Sequence, residues 1–353
     1  MFFGRKNKPL LGLDITTSSV KLIELSGSAG HYKVDSYAAE PTPNNAVSEK
    51  AIVDAQTVGE AIRRAVKRSG TSNKECAIAI SGDAAVTKLI QMPRSLNDSE
   101  MEGQVELQAD QYIPFPMEEV SFDFEVQGES AKDPEMLDVL LVATRNENVE
   151  QRQAAVEAAG LIARVVDVEA FALENSCQLL THQMADGGMD HTIAVVDFGA
   201  SSTTFSILRD LRVIYTRDFA FGGQQLTEEI MRTYGLSLEE AGRAKKEGGL
   251  PSNFQPEVLD PFMDEMSLQV SRSLQFFLAS GSGREQPESI LVCGGCANIP
   301  GVADVIASRV GIPAEIGDPL GQMKLSSRAK SLGVVKDSTA LLTACGLALR
   351  SFD

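Results

Sequence analysis

The residues best suited to chemistry lie in two short segments that repeat one pattern. Residues 13–20 read LDITTSSV, and residues 196–203 read VDFGASST. Each segment places an aspartate at the end of an apolar strand and continues into a turn of small and hydroxyl-bearing residues. Such a turn exposes successive backbone N–H groups, and Ser and Thr hydroxyls add further donors, so each turn is suited to binding phosphate oxygens.

The two aspartates of this repeat, Asp14 and Asp197, indicate what else the ligand must contain. A carboxylate beside a phosphate is repelled by it unless a cation lies between them, and Mg²⁺ bridges carboxylates to phosphates while keeping several waters. Two such turns facing each other across a cleft therefore predict a magnesium–nucleotide ligand. The alternative is a pair of ordinary β-hairpins with Asp in the turn. Repetition without gaps at the start of each half favours phosphate binding and a duplicated fold.

The composition excludes several other functions. The chain has 353 residues, 43% of them hydrophobic, which predicts a globular protein of two or three domains. A net charge of −17 disfavours nucleic-acid binding. No run reaches the ~18 apolar residues of a membrane helix. Residues 1–8 lack the apolar region of a signal peptide, so we expect a frayed tail there, with contact to a membrane surface or a partner as the alternative.

Motifs for other cofactors are incomplete. The chain has five cysteines, an odd number, and they are scattered along it, which indicates a protein of a reducing compartment. Cys293 and Cys296 have CxxC spacing but lack the second ligand pair of a zinc site. There is no GxxxxGK[ST] loop. The segment 281–284 lacks the third glycine of a dinucleotide fingerprint, so we interpret it as a flexible loop.

Hydrophobic periodicity predicts the elements that position these turns. We expect an α/β protein with lobe I over 1–190, lobe II over 191–340 and a C-terminal helix, 341–353, returning to lobe I. Within lobe I, residues 86–161 read as an inserted strand–helix–strand–strand–helix unit. Lobe II becomes mainly helical over about 224–285. A helix is also predicted over 54–69, with Gly70 suited to its C-terminus.

These features resemble the actin, DnaK-type chaperone and hexokinase superfamily. The two aspartate turns are similar to its phosphate motifs, and residues 291–301 (LVCGGCANIPG) resemble its adenosine motif, which is a better account of the CxxC spacing. Residues 168–173 (VEAFAL) and 344–348 (ACGLA) resemble its two connecting helices. The resemblance implies an actin-like ATPase fold, with two related lobes around a nucleotide cleft.

Within this superfamily the chain is most similar to the PilM family of type IV pilus assembly proteins, which is related to the division protein FtsA. Residues 111–116 (QYIPFP) with 120–124 (VSFDF), and 220–223 (AFGG) with 234–237 (YGLS), carry the resemblance. The inserted unit lies where that branch has its distinctive FtsA-like subdomain. The chain ends directly after the second connecting helix, without the membrane helix of FtsA-type proteins, which favours PilM.

The resemblance implies roles for individual residues around ATP and Mg²⁺. Asp14 and Asp197 would face the metal, mostly through water. The implied nucleotide contacts are Ser18, Ser19 and Lys21 from the first turn, Gly199, Ala200, Ser201 and Ser202 from the second, Gly222 and Gly223 near the ribose, and Lys245, Gly294, Gly295 and Asn298 at the adenosine. Lys21 could instead be an exposed strand residue, Gly222–Gly223 an ordinary turn, and Lys245 part of a solvated helix face.

Three positions qualify these roles. Thr16 replaces the usual glycine of the first turn, and Gly242 stands where many relatives have a glutamate near the ribose. Both departures leave the affinity for nucleotide open. Glu169 aligns with the carboxylate that positions attacking water in the chaperones, which makes it a candidate catalytic residue. Its alternative role is to stabilise a helix N-terminus.

The function implied is that of a cytoplasmic ATP-binding scaffold, at most a weak ATPase, peripheral to the inner membrane. It would bind the N-terminal peptide of PilN, with other pilus complex proteins, motor ATPases and self-association as further partners, and would reach the membrane only through them. Leu89, Met92 and Tyr112 lie in the inserted unit, but the sequence does not tell whether they face a peptide groove or the core. The alternatives are a small-molecule kinase, for which no acidic base motif is visible, and a filament-forming actin relative.

Overall fold

The computed structural model describes residues 9–28, 30–130, 133–281 and 285–353. The expected N-terminal tail lies outside these residues, as does most of the expected loop 281–284. The first half contains the strands β1 Leu11–Ile15, β2 Ser19–Ser28, β3 His31–Pro41, β4 Val47–Ser48, β5 Ala51–Ile52, β6 Glu75–Ile80, β7 Ala85–Pro93, β8 Val120–Glu129, β9 Met136–Arg145 and β10 Ile162–Val168, and the helices α1 Ala55–Ser69, α2 Asp98–Ala109, α3 Asn146–Ala158 and α4 Glu169–Cys177.

The second half is built of fewer strands and more helices. Its strands are β11 Thr192–Phe198, β12 Thr203–Arg209, β13 Arg212–Phe219, β14 Ser289–Cys293, β15 Ala314–Ile316 and β16 Lys324–Leu325, and its helices are α5 Gly223–Tyr234, α6 Leu238–Glu247, α7 Asp260–Ala279, α8 Val302–Val310, α9 Ser327–Ser331, α10 Val334–Asp337 and α11 Leu342–Leu349.

The two halves repeat one sheet topology. The first sheet has the strand order β10-β6-β1-β2-β3-β16, and the second has the order β13-β12-β11-β14-β15. In each sheet an antiparallel three-strand meander is extended by two parallel strands, β6 and β10 beside β1, and β14 and β15 beside β11. The duplicated fold predicted from the repeat is therefore confirmed.

Each sheet is covered by helices that bury an apolar face. In the first half, Val58 and Ile62 of α1 pack with Leu11 and Leu13 of β1 in one core. The predicted helix begins where Asp54 accepts a hydrogen bond from the Thr57 amide, and it ends at Gly70, whose φ of 70° is readily adopted by glycine. In the second half, α7 and α8 pack against β11 and β14.

Two connecting helices cross beneath the lobes at very short range. A Cβ added to Gly346 of α11 would lie 1.7 Å from the carbonyl oxygen of Ala172 in α4, and one added to Gly12 would lie 1.9 Å from that of Ala344. Only glycine leaves room for these backbone contacts. The crossing therefore ties the C-terminal helix to both β1 and α4.

The inserted unit has a sheet and a core of its own. Its strands pair in the order β7-β9-β8. Ile90, Met92, Met101, Val105 and Leu141 pack between this sheet and α2. Helix α2 begins with a capping box formed by its N-cap asparagine and the glutamate three residues later.

Helix α3 differs from the rest of this predicted unit. Its Ala155 and Val156 pack in the core of α1 and β1 rather than in that of α2. A Cβ on Gly59 of α1 would lie 2.6 Å from the Cβ of Ala158, so the two helices pack closely. We therefore propose that the inserted unit ends before α3, near residue 145 rather than 161.

Candidate functional site

The tips of the two repeated hairpins meet. The Thr17 Oγ1 of the β1–β2 turn lies 3.0 Å from the Ser201 Oγ of the β11–β12 turn. The two turns are also closed by the same hydrogen bond. The Thr16 amide donates to the Ser19 carbonyl oxygen, and the Gly199 amide donates to that of Ser202, both at 3.0 Å. The repeat in the sequence thus corresponds to two equivalent turns that face each other.

Both turns present unpaired backbone donors. Within the described part of the chain, the N–H groups of Thr17, Ser18, Ala200 and Ser201 donate no hydrogen bond to protein. Backbone amides of this kind are the groups that bind phosphate oxygens. A phosphate between the tips would replace the hydroxyl contact between Thr17 and Ser201.

The glycine missing from the first turn is replaced without strain. Thr16 is not among the non-glycine residues with positive φ. Its Oγ1 donates to the Ser19 carbonyl oxygen at 2.9 Å and accepts from the Ser19 amide at 3.2 Å. Ser19 and Thr16 therefore close the turn, while the amides between them stay free.

The carboxylate of the first hairpin is paired with a lysine. Lys21 Nζ donates to Asp14 Oδ2 at 2.7 Å, and both side chains are largely buried. Burial alone would lower the pKa of Lys21, but Asp14, with smaller contributions from Asp197 and Asp337, brings the pKa above its usual value. Lys21 is therefore not the exposed strand residue of the alternative reading.

The carboxylate of the second hairpin is enclosed by the glycine pair of β14. A Cβ on Gly294, at φ 88°, would lie 2.4 Å from Asp197 Oδ1. The pKa of Asp197 is raised to about 6, chiefly by burial. The charges of Asp14 and Glu169 raise it further, whereas the ammonium groups of Lys21 and Lys50 oppose the shift. The four groups that Asp197 senses come from the other lobe, so the cleft is one electrostatic unit.

Gly222 and Gly223 pack against the backbone of the second turn. The amides of Gly223 and Gln224 donate to the carbonyl oxygens of Gly199 and Ala200 at 3.0 and 2.8 Å. A Cβ on Gly222 would lie 2.6 Å from both of these oxygens. This pair is therefore more than an ordinary turn, because it fixes the backbone of the second turn.

Lys245 faces this glycine pair rather than solvent. Its Nζ donates to the Gly223 carbonyl oxygen and to Thr227 Oγ1, both at 2.7 Å. Burial lowers the pKa of Lys245. The lysine thus connects α6 to the N-terminus of α5 at the edge of the cleft.

The Gly294–Gly295 turn is anchored on one side and open on the other. The Gly294 amide donates to the Thr339 carbonyl oxygen at 2.7 Å, and Asn298 Nδ2 donates to Thr339 Oγ1 at 3.1 Å. No atom lies within 4 Å of a Cβ built on Gly295. A flat group could therefore lie against this backbone. Asn298 serves to hold the turn in place.

Glu169 belongs to an ion-pair network that the sequence analysis did not find. Glu169 is the first residue of α4, and its Oε2 accepts from Lys50 Nζ at 2.9 Å. The same ammonium donates to Asp218 Oδ2 at 2.6 Å. Burial raises the pKa of Glu169, and Lys50 opposes that shift. Neither Lys50 nor Asp218 lies in a recognisable motif, so no signal in the sequence indicated them.

The residues present fit a magnesium ion held partly by a ligand. In the described ranges no group of three or more His, Cys, Asp or Glu side chains could hold a metal ion by itself. Two carboxylates, Asp14 and Asp197, lie beside free backbone amides. Mg²⁺ is usually bound in this way, through one or two carboxylates, waters and substrate phosphates.

Comparisons with known proteins agree with this architecture. A family model described as "Type IV pilus assembly protein PilM" matches residues 12–352. The cell division protein FtsA of Enterococcus hirae is 24% identical over 370 residues, covering 88% of this chain and 78% of that protein. FtsA of Streptococcus pneumoniae is 22% identical, covering 87% and 75%.

Solved structures give the same result. A PilM–PilN type IV pilus biogenesis complex superimposes with a TM-score of 0.79 at 28% identity, covering 98% of this chain and 99% of that one. MreB5 of Spiroplasma citri, bound to ADP, superimposes with a TM-score of 0.51 at 13% identity, covering 97% and 95%, which shows the actin-like fold alone. Over the described residues, no helix has the length and apolar character needed to span a bilayer. The chain belongs to the PilM family of type IV pilus assembly proteins, in the FtsA-like branch of the actin-like fold.

Proposed function

We propose that this chain is a nucleotide-binding scaffold of the type IV pilus assembly machinery, which binds Mg-ATP between its lobes and the N-terminal peptide of PilN on its surface. The observation that carries the nucleotide part is the meeting of Thr17 and Ser201 at the tips of two equivalent turns. Free amides on both tips and a carboxylate behind each supply a complete set of donors and charges for a magnesium–phosphate group.

The residues have distinct parts in this proposal. The amides of Ser18 and Ser201, with their neighbours, bind phosphate oxygens from opposite sides. Asp14 and Asp197 would hold the magnesium ion, mostly through water, and the ion would supply positive charge to offset that of the phosphates. The open backbone at Gly295 receives the base, and Lys245 supports the ribose side.

A binding role is better supported than rapid catalysis. Glu169, the candidate for orienting water, is held by Lys50 at 2.9 Å. This ion pair already engages one of the two carboxylate oxygens that would have to orient an attacking water. We therefore propose at most slow hydrolysis of ATP.

The peptide-binding part rests on family membership and on a similar structure that is a PilM–PilN complex. In the inserted unit Met92 is fully buried and cannot contact a partner, whereas Leu89 and Tyr112 are 61% and 39% exposed. Leu89 and Tyr112 are therefore exposed enough to contact a peptide. Location at the inner face of the membrane would follow from this binding.

Isothermal titration with Mg-ATP tests the nucleotide site. Asp197→Ala removes a carboxylate that supports the cation, so we expect the Kd for Mg-ATP to rise by about tenfold or more. Asp110→Ala, on the exposed end of α2 in the inserted unit, is the matched control and should leave the Kd unchanged. An unchanged Kd in Asp197→Ala would show that the site is assigned wrongly.

A second titration with a synthetic PilN N-terminal peptide tests the scaffold. We expect saturable binding without transfer of a phosphoryl group to any added small molecule. Leu89→Asp and Tyr112→Ala should weaken this binding if the inserted unit forms part of the groove. ATP consumption that depends on a sugar or an organic acid would contradict the scaffold and favour a kinase.

A further inference from the structure

Lys50 lies outside the predicted site, on a turn that holds its side chain in a fixed place. The turn joins β4 and β5, and both Glu49 and Lys50 have positive φ, at 48° and 65°. Non-glycine residues are uncommon in this region and persist where the surroundings hold them. The buried Arg152 does so, because its guanidinium donates to the Lys50 carbonyl oxygen at 2.7 Å.

The Lys50 ammonium joins the two lobes. It donates to Glu169 Oε2 at the start of α4 in lobe I, and to Asp218 Oδ2 on β13 in lobe II. The side chains of Lys50, Glu169 and Asp218 are only 19%, 22% and 14% exposed. Such partly buried pairs are screened far less by salt than pairs on the surface. We call these two ion pairs the Lys50 clasp.

Asp218, the lobe II partner in the Lys50 clasp, lies in register with Asp197 across the sheet. Asp197 of β11 pairs with Thr204 of β12, which pairs with Asp218 of β13. Thr204 Oγ1 also donates to Asp218 Oδ1 at 2.6 Å. Neighbouring strands lie about 4.8 Å apart and directly paired residues share a face, so Asp218 lies about 10 Å from Asp197 on the same side of the sheet.

One donor of the ammonium remains unused. Lysine carries three N–H donors. Two of them bond to Glu169 and Asp218, and among the described residues no third acceptor contacts Lys50 Nζ. Because a lysine ammonium binds phosphate as a point charge, a phosphate group extending from the turns toward Asp218 could take the third N–H without breaking the clasp.

We propose that Lys50 binds the terminal phosphate of a nucleoside triphosphate, so that a triphosphate holds the lobes together more firmly than a diphosphate does. This inference rests on the proposed nucleotide site and adds a specificity-determining residue to it. A diphosphate has no group at this position. Lys50 should therefore discriminate between the two nucleotides. It should contribute little to binding of the base, the ribose and the two phosphates that both nucleotides contain.

Nucleotide affinities test the discrimination. We would measure the Kd of ADP and of a non-hydrolysable ATP analogue, with Mg²⁺, for the unaltered chain and for Lys50→Met. The ratio of the ADP Kd to the analogue Kd should fall about tenfold in Lys50→Met, the size expected for one charge-assisted hydrogen bond. Lys50→Arg, which keeps the charge, should retain most of the ratio. Lys67→Met, on the exposed face of α1, is the matched control and should retain all of it.

The clasp itself is tested without nucleotide. In Lys50→Met and in Asp218→Asn the lobes should open more often, so hydrogen exchange of the hydrogen-bonded turn amides of Thr16, Ser19 and Gly199 should become faster. Asp218→Asn leaves the β4–β5 turn untouched and keeps an acceptor for Thr204, so it is informative even if Lys50→Met folds poorly. In the double variant these amides should exchange no faster than in the faster single variant, because each single substitution already breaks the same clasp.

The outcomes separate this inference from the proposed function. If the unaltered chain binds neither nucleotide, the nucleotide site is wrong and the terminal-phosphate role falls with it. If the unaltered chain binds both and the ratio is the same in Lys50→Met, the site stands and the Lys50 inference is overturned. Unchanged exchange at both turns in Asp218→Asn would overturn the clasp.

Discussion

At the scale of single residues, the two carboxylates of the cleft differ in their surroundings. Asp14 has Lys21 at 2.7 Å, whereas Asp197 is enclosed by the backbone at Gly294. Burial raises the pKa of Asp197 from an ordinary value of 3.8 to about 6, and the ammonium groups of Lys21 and Lys50 oppose that shift. A divalent cation would stabilise the charged carboxylate, so the burial that prepares Asp197 for a metal also destabilises the free protein at neutral pH.

The raised pKa of Asp197 predicts a pH dependence of nucleotide binding. Because the pKa of folded Asp197 is raised to about 6, the carboxyl is protonated at pH 5 and must lose its proton to bind Mg²⁺. The Kd for Mg-ATP should therefore rise about tenfold between pH 7.5 and pH 5, beyond the change due to the nucleotide's own titration. Titration calorimetry in two buffers of different ionisation enthalpy measures the proton release.

Asp197→Asn is the control for that profile. The variant should bind weakly at both pH values, with only the pH dependence of the nucleotide itself. The sign for stability is the reverse of that for binding. The raised pKa of Asp197 contributes stability to the free folded protein that is fully present below pH 4 and is lost as pH rises through 6. The contribution of Asp197 to the stability of the nucleotide-free chain should therefore be smaller at pH 7.5 than at pH 5. Equal profiles in both chains would contradict the role of Asp197.

The residue scale also shows what the sequence could not predict. Asp14 and Asp197 were predictable because a repeat marks them. Lys50 and Asp218 were not, because no pattern near either residue indicates that the β4–β5 turn crosses the cleft. Met92 was ambiguous for a related reason. Alternation along β7 identifies two faces, but only the packing of α2 decides which face is buried.

At the scale of elements, close packing between backbones sets the geometry of the lobes. The helices α4 and α11 meet at Gly346, and β1 meets α11 at Gly12. Strands with strong apolar patterns, such as β1, β11 and β14, were predictable. The strands β3 and β13 were not predicted, because they carry polar residues along their length in place of one continuous apolar run, and pairing with β2 and β12 fixes their place.

Two glycines within helices allow a matched test of this packing. Gly346→Ala would place a Cβ 1.7 Å from the Ala172 carbonyl oxygen, so we expect the free energy of unfolding to fall by about 2 kcal/mol or more. Gly242→Ala, in α6, meets nothing within 4 Å and should raise it by up to about 1 kcal/mol, because alanine has the higher helix propensity. Urea denaturation measures both. The same sign for both variants would contradict the packing argument.

At the scale of the whole molecule, the two lobes are copies of one topology. They are joined by the connecting helices α4 and α11, and they meet at the tips of the two repeated hairpins. The duplication was predictable, because it follows from the repeated motif. The lobe order and the position of the inserted unit stay predictions drawn from the order of motifs along the chain, and we propose a shorter extent for that unit. Helix α3 follows the unit in sequence but packs on α1, a long-range choice that local periodicity does not reveal.

A ligand held by both lobes should stabilise the molecule as a unit. At a free Mg-ATP concentration 100 times its Kd, the free energy of unfolding should rise by about 2.7 kcal/mol. Thermal unfolding followed by calorimetry would show the increase. Asp197→Ala at the same nucleotide concentration should show a much smaller increase, and an equal one would indicate binding elsewhere.

All five cysteines of the chain, at positions 76, 177, 293, 296 and 345, are free and buried. Burial also raises the pKa of each thiol above its usual range, so little reactive thiolate forms at neutral pH. Maleimide dyes should therefore leave the native fold unlabelled. A cysteine engineered into each lobe would then accept a fluorophore pair against a silent background, and the opening of the cleft could be followed in single molecules without first removing any native sulfur.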